Sequence, residues 1–296
     1  MVVDCEFIEF VQIFQRNMIT RFAPSPTGHL HKGHAWSALT AFEKAQRSGG
    51  TFLLRIEDID FNRCDSANTS QILEDLAWLG IEWEEPVRTQ SEHLSDFSAA
   101  AEKLQERDLL YPCFCTRKDI QREIEAAGHA PHGSEGPLYP GTCRRMSEEE
   151  RSERITSGAS YALRLDLSKA LDLIDAPITW YDSIHGEQVA KPEPLGDAVI
   201  VRKDIGTSYH LAVVCDDGLQ GITDIVRGFD LFESTHLHCV LQHLLGLPVP
   251  VYHHHELLTD EKGNRLAKRD KSITLKSLRE SGVSSEALKK ELGFRV

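Results

Sequence analysis

Apolar and polar positions divide the chain into short strands and longer helices. Ile19 to Ala23 (ITRFA) has the pattern of a short buried strand. From Ala35 the period changes. Trp36, Leu39, Ala41 and Phe42 recur at helical spacing, and Gly49-Gly50 closes the segment. Thr51 to Asp58 (TFLLRIED) is again a continuous apolar run. Strand, helix and strand in about forty residues predict a βαβ unit and a parallel sheet.

The pattern predicts further helices around Ala67 to Leu79, closed by Gly80, and around Leu94 to Arg107. LLYPCFC reads as extended chain. Thr116 to Asp119 and Ser147 to Glu150 read as capping boxes that open helices. Between them lies AAGHAPHGSEGPLYPGTC, too rich in Gly, Pro and His to form a core unless something cross-links it. Shorter strands follow near Tyr161 to Leu165, Ile178 to Tyr181 and Val199 to Arg202. SYHLAVVCDD and GITDIVRG lead to a helix from about Ser234 to Leu245, then to the strand-like VYHHHELL and two short helices after Lys271. The sheet-forming segments therefore divide into 18–94 and 196–256, around an inserted module at roughly 95–195, with a loop and helices over 257–296.

Composition adds bounds. The chain has 296 residues, 41% hydrophobic, and a formal net charge of -13. No apolar run approaches the length of a membrane span. Residues 1–17 lack the basic start and cleavage site of a secretory signal and are expected to be an extension outside the fold. Seven cysteines, scattered except for one close group, point to a reducing, cytoplasmic setting. The acidic balance does not exclude a nucleic-acid partner, because a local basic face acts within a Debye length of about 8–10 Å.

Candidate chemistry begins at Arg21 to Ala35, RFAPSPTGHLHKGHA. A strand that feeds a helix through a tight turn offers free N–H groups and a positive dipole end to an anion. His31 and His34, three apart, lie on one side of that helix start. Two imidazoles there could hydrogen-bond a triphosphate as charge develops on the leaving pyrophosphate. Gly33 between them leaves room for a flat ring over the backbone. Cys113, Cys115 and Cys143 would supply three thiolates to a tetrahedral zinc, and spacing alone makes His129 or His132 the better fourth ligand over Tyr139. His253, His254 and His255 alternate faces along a strand, so they cannot converge on a metal and read as a plain strand end.

Arg21 to Ala35 resembles the HIGH region of class I aminoacyl-tRNA synthetases, in the form used by glutamyl-tRNA synthetases, with His31-Lys32-Gly33-His34 as the tetrad. RLAKR (Arg265 to Arg269) resembles the KMSKS loop with Lys268 at its second lysine, and departs from it at Arg265 and Ala267. RIEDIDFNR and SYHLAVVCDDGLQGITDIVRGFDLFEST match the same family in the same order. The resemblance implies an α/β, Rossmann-like class I catalytic domain with a parallel sheet, split by an inserted α+β zinc-containing module. It implies that Arg21, Phe22, Ala23, Pro24, Ser25, Tyr209 and Arg227 bind glutamate, with Glu57 on its ammonium. It implies ATP at His31, Gly33, His34 and Lys268, together with Mg2+, and catalysis by His31, His34 and Lys268.

The cysteine pattern is similar to that of glutamyl-queuosine tRNA(Asp) synthetases, in which C-x-C is followed by Y-x-x-x-C. That resemblance implies zinc at Cys113, Cys115, Tyr139 and Cys143, with His132 in reserve. The chain stops at Val296, close after Lys268, where an anticodon-binding domain of about 100 residues would be needed to read a tRNA. The implied activity is tRNA-independent activation of L-glutamate with ATP and its transfer to queuosine at the wobble position of tRNA(Asp). The anticodon stem-loop would lie on the 95–195 module of a monomer, with no membrane involved. The alternative is a minimal glutamyl-tRNA synthetase that charges a tRNA 3′ end.

Overall fold

The computed structural model describes residues 17–126, 132–133, 136–258 and 273–295. The leader at 1–16, His129 and the segment with Arg265, Ala267 and Lys268 lie outside the described residues.

The predicted βαβ unit is present. β1 (Ile19–Phe22) leads through a loop to α1 (Lys32–Ser48), which returns the chain to β2 (Thr51–Ile56), parallel to β1 and paired from Ile19↔Thr51 to Phe22↔Leu54. Gly49 ends α1 in the left-handed conformation at φ 65°, which glycine adopts without a Cβ penalty. α2 (Ser66–Trp78) follows, then β3 (Glu84–Thr89), also parallel to β2. α3 (Leu94–Glu106) and β4 (Leu110–Cys113) come next. The Thr116 and Ser147 capping boxes open α4 (Arg117–Ala126) and α5 (Glu148–Thr156), on either side of the two-residue strands β5 (His132–Gly133) and β6 (Gly136–Pro137).

Beyond α5 run β7 (Ala162–Leu165), α6 (Leu167–Asp172), β8 (Thr179–Asp182), β9 (Gly186–Val189) and β10 (Val199–Val201). α7 (Tyr209–Leu219), β11 (Asp224–Gly228), α8 (Phe232–Leu245) and β12 (Val251–His255) complete the nucleotide-binding pattern, and α9 (Leu275–Glu280) and α10 (Ser285–Glu291) end the described chain.

The large sheet has the order β3-β2-β1-β11-β12-β8-β9. All of its pairs are parallel except β8 with β9. The chain winds from β1 outward to β3, then returns to β11 on the other side of β1. That reversal makes the carboxyl ends of β1 and β11 a topological switch point, where α/β sheets hold ligands. β2 shows how the sheet is packed. Phe52, Leu54 and Ile56 face the core shared with α1, α2, α9 and α10, while Arg55 points to the opposite face, under α7.

Sheet membership does not follow the expected 95–195 division. β8 and β9 extend the large sheet, through a parallel bridge between Asp182 and Tyr252. β10, placed by sequence in the second half of the nucleotide fold, instead joins β7 and β4 in a separate antiparallel sheet. Apolar residues of that small sheet and of α3, α6, α7 and α8 share one large buried cluster, and a smaller one gathers Tyr111, Cys113 and Cys143 at the end of β4. Among the described residues, no helix is long and apolar enough to cross a membrane.

Candidate active site

A cavity of about 580 Å³ opens at the switch point. Arg21, Phe22, Ala23 and Ser25 line it from β1 and the loop after it, His31, Gly33 and His34 from the start of α1, and Glu57 from the end of β2. Tyr209 reaches it from the first turn of α7, and Arg227 from β11. Pro24 contributes its carbonyl, which accepts the Glu57 N–H at 3.0 Å and ties the loop to β2. Trp36, Ser37, Asp230 and His255, which the sequence reading assigned to no binding site, also line the cavity.

The two motif histidines build the helix cap themselves. His31 is the N-cap residue of α1, and its Nδ1 accepts from Gly33 N at 3.1 Å. His34 Nδ1 accepts from His31 N at 3.2 Å, which closes a capping box made of imidazoles. The ring centroids lie 3.8 Å apart. Because each Nδ1 accepts a backbone N–H, a neutral ring carries its proton on Nε2, which is then a donor. Gly33 is tightly held as well. A Cβ there would sit 3.0 Å from His31 Cε1, so any side chain would press on the capping ring.

The wall under β1 and β2 is a buried ionic network. Asp217, in the last turn of α7, accepts from Arg21 Nε at 3.0 Å and from Arg55 Nη2 at 2.9 Å. Arg55, fully buried, also reaches Glu57 Oε1 at 3.1 Å and Gln220 Oε1 at 2.9 Å. The neighbouring Asp216 takes Arg88 Nε at 2.7 Å and Gln90 Nε2 at 2.8 Å. Burial would raise the Asp217 carboxyl, but Arg21 and Arg55 outweigh it and hold the group below the usual carboxylate range. Burial pushes Glu57 above that range against the opposing pull of the same arginines. An incoming ammonium would favour the charged form of Glu57 again. Asp216-Asp217 was the available signal, as an acidic pair inside an apolar helix has to meet buried cations.

The opposite wall has different chemistry. Arg227 is 6% exposed. Its Nε donates to His254 Nε2 at 3.0 Å, its Nη2 to Thr235 Oγ1, and its Nη1 lies 3.3 Å from His238 Nδ1 and 3.5 Å from the Tyr209 hydroxyl. Among the described residues, no carboxylate lies within 4.0 Å of this guanidinium. The histidine run is therefore not the plain strand end expected from sequence. His253 meets Ser183 Oγ at 2.6 Å, His254 lies between Asp182 and Arg227, and His255 meets Ser37 Oγ at 2.7 Å inside the cavity. Desolvation, reinforced by Arg227, lowers His254 to about 3, so the ring is neutral at pH 7.

A smaller hollow of about 180 Å³ adjoins the cavity and shares Ser25, Glu57 and Tyr209 with it. Asp60, Arg63 and Arg202 line its far side.

About the small sheet, the sulfurs of Cys113, Cys115 and Cys143 lie within 4.8 Å of one another. Cys115 Sγ is 3.5 Å from Cys143 Sγ and 3.7 Å from the Tyr139 hydroxyl. With metal–sulfur bonds near 2.3 Å, a tetrahedral site has sulfur–sulfur edges of about 3.8 Å, so the donor set fits such a metal. The Tyr139 hydroxyl also accepts from Cys143 N at 2.8 Å. His132, the reserve ligand, is described only through its backbone, which pairs with Pro137.

The family described as tRNA synthetases class I (E and Q), catalytic domain, matches residues 17–295. A Glutamyl-Q tRNA(Asp) synthetase of Rhodobacter capsulatus is 45% identical over 286 residues, covering 94% of this chain and 100% of that protein. A protein of the same name from Symbiobacterium thermophilum is 42% identical, covering 93% of this chain and 85% of that one. A Glutamate–tRNA ligase of a Hydrogenobaculum species is 36% identical over 91% of this chain but only 56% of its own length. Among solved structures, a glutamate tRNA ligase from Elizabethkingia meningosepticum in complex with its amino acid superposes with a TM-score of 0.73 at 30% identity, covering 86% of this chain and 52% of that one. The chain belongs to the class I tRNA synthetases of the E and Q group, whose catalytic domain it matches almost from end to end.

Proposed function

We propose that this enzyme activates L-glutamate with ATP, without tRNA, and transfers the glutamyl group to queuosine at the wobble position of tRNA(Asp). The observation that carries this reading is the cavity at the switch point, where two arginines, one buried carboxylate and two imidazole donors face one another. The full-length likeness to Glutamyl-Q tRNA(Asp) synthetases supports the choice of acceptor.

A glutamate zwitterion brings one ammonium and two carboxylates, the complement of Glu57, Arg21 and Arg227. Its α-carboxylate is ionised at neutral pH, so the first step needs no general base. An oxygen of that carboxylate attacks the α-phosphorus of ATP, the bond to the β-phosphate bridging oxygen breaks, and pyrophosphate leaves. His31 and His34 donate from Nε2 to the phosphates, and the ammonium of Lys268, placed there by the KMSKS resemblance, would add a positive charge to them. Bound Mg2+ would neutralise phosphate charge as the pyrophosphate departs. In the second step a hydroxyl of the queuosine cyclopentene-diol attacks the glutamyl carbonyl and AMP leaves. The smaller hollow beside Ser25, Glu57 and Tyr209 is where that hydroxyl would approach the carbonyl.

Zn2+ at Cys113, Cys115, Tyr139 and Cys143 would tie β4 to the 139–143 turn and order the Gly/Pro-rich segment between them. The surface beside this clamp is where the anticodon stem-loop would lie on the monomer.

The deciding experiment offers labelled glutamate and ATP together with either queuosine-containing tRNA(Asp) or tRNA(Glu). Label on the first alone is the expected result. Label on tRNA(Glu) alone would establish a minimal glutamyl-tRNA synthetase instead.

A further inference from the structure

We infer that His254, locked in one tautomer by Asp182, is a positioning residue that orients Arg227 while leaving its charge available to the substrate. The inference rests on Arg227 binding a carboxylate of glutamate.

The chain of contacts fixes where each proton sits. Asp182, wholly buried, accepts from Ile184 N at 2.8 Å and His185 N at 2.9 Å with Oδ1, and from His254 N at 3.0 Å with Oδ2. Three backbone donors and the ring hold this carboxyl in its charged form, against the burial that would raise it. The same Oδ2 lies 2.7 Å from His254 Nδ1. A carboxylate only accepts, so Nδ1 must carry the proton. Nε2 is then bare and can accept from Arg227 Nε, which only donates. The opposite tautomer would set a ring N–H against the guanidinium N–H.

The remaining partners of Arg227 follow the same rule. Thr235 Oγ1 accepts from Nη2 and can donate onward to the bare His254 Nε2 at 3.1 Å or to Leu231 O at 3.3 Å. His238 presents Nδ1 to Nη1 and has His210 Nδ1 at 3.1 Å from its other nitrogen. Each direct partner is a neutral acceptor. The nearest compensating charge in this chain of contacts, Asp182, stands one imidazole away. A carboxylate in direct contact would hold Arg227 equally well, but it would also compete with the incoming carboxylate. The imidazole transmits orientation and keeps that competitor at a distance. A buried guanidinium with no carboxylate beside it favours an anionic side chain over a neutral amide, because the amide leaves the cation uncompensated.

The test is glutamate-dependent pyrophosphate exchange by the full chain, with KM measured for glutamate and for ATP. H254N keeps a donor for Asp182 but loses the acceptor for Arg227, and should raise KM for glutamate about tenfold or more. KM for ATP should stay within about twofold. H254Q places an acceptor near the position of Nε2 and should recover most of the loss. D182N offers an amide N–H to Nδ1, moves the proton to Nε2, and should behave like H254N. A structural histidine predicts that H254N and H254Q shift both constants alike, or neither, and that pattern overturns the inference. R227Q separates this failure from failure of the site itself. If R227Q raises KM for glutamate and H254N does not, only the role of His254 falls. If R227Q leaves it unchanged, the substrate assignment of Arg227 falls too. Nitrogen-15 imidazole shifts of the unaltered protein give a readout that needs no variant, and a proton on His254 Nε2 would also overturn the inference.

Discussion

The two walls of the cavity hold buried arginines by opposite means. Under β1 and β2, Arg21 and Arg55 bind carboxylates directly, at 2.9–3.3 Å, in a network with Glu57 and Asp217. Across the cavity, Arg227 is held by imidazoles and a hydroxyl. The first arrangement fixes geometry and offsets part of the arginine charge. The second fixes geometry and preserves it. A pocket for an amino acid with an acidic side chain uses both, a carboxylate set among cations for the ammonium and an uncompensated cation for a carboxylate.

The largest effect expected from breaking this contrast is on the ionic wall. Asp217→Ala leaves Arg21 without its carboxylate and Arg55 with part of its set, which should cost about 3–5 kcal/mol. A thermal melt should show the midpoint lower by on the order of 10 °C. An unchanged midpoint would mean that the network contributes nothing net.

Converting the neutral wall into a copy of the ionic one comes next. His254→Glu puts a carboxylate against Arg227 beside Asp182. The expected outcome is a rise of about 100-fold in KM for glutamate, with KM for ATP nearly constant, from the loss of one charge-assisted contact. Similar losses in both constants would point to misfolding rather than to neutralised charge.

Acidification separates the walls more gently. Histidines whose folded pKa is lowered contribute stability that is complete above their unfolded value near 6.5 and is lost as pH falls below it. His254, at about 3, His253, at about 4, and His238, also lowered by burial, all act in this window. Asp217, lowered by its arginines, weakens the fold only below the ordinary carboxylate range near 3.9. Glu57 is raised and works the other way. The melting temperature should therefore begin to fall near pH 6.5, and His254→Gln should flatten part of the slope between pH 6.5 and 4. Parallel slopes for the variant and the unaltered protein would count against a buried neutral ring.

What the sequence made legible is mostly local. The βαβ unit, both capping boxes and the left-handed Gly49 follow from spacing within a few turns of chain. Arg21, Ser25, His31, His34, Glu57, Tyr209 and Arg227 line one cavity because they sit at strand ends and helix starts that the sheet gathers together. The missed features are non-local. β8 joins the large sheet by one parallel bridge to β12, and no property of TWYD announces that partner. HHH looks uniform until Asp182 and Arg227 arrive from distant segments and make the middle ring different from its neighbours.

The imidazole capping box at α1 has an evolutionary consequence. A serine at position 31 with a glutamate at 34 would cap the helix as well as the two histidines do. The fold therefore makes little demand for histidine here, and the proposed contact with the phosphates would be what favours it. On the proposed reading, mutational drift toward an ordinary cap would leave a stable, well-packed protein that still holds glutamate and no longer activates it. A lineage released from its tRNA substrate could lose catalysis in two neutral steps at this turn and persist as a binding protein.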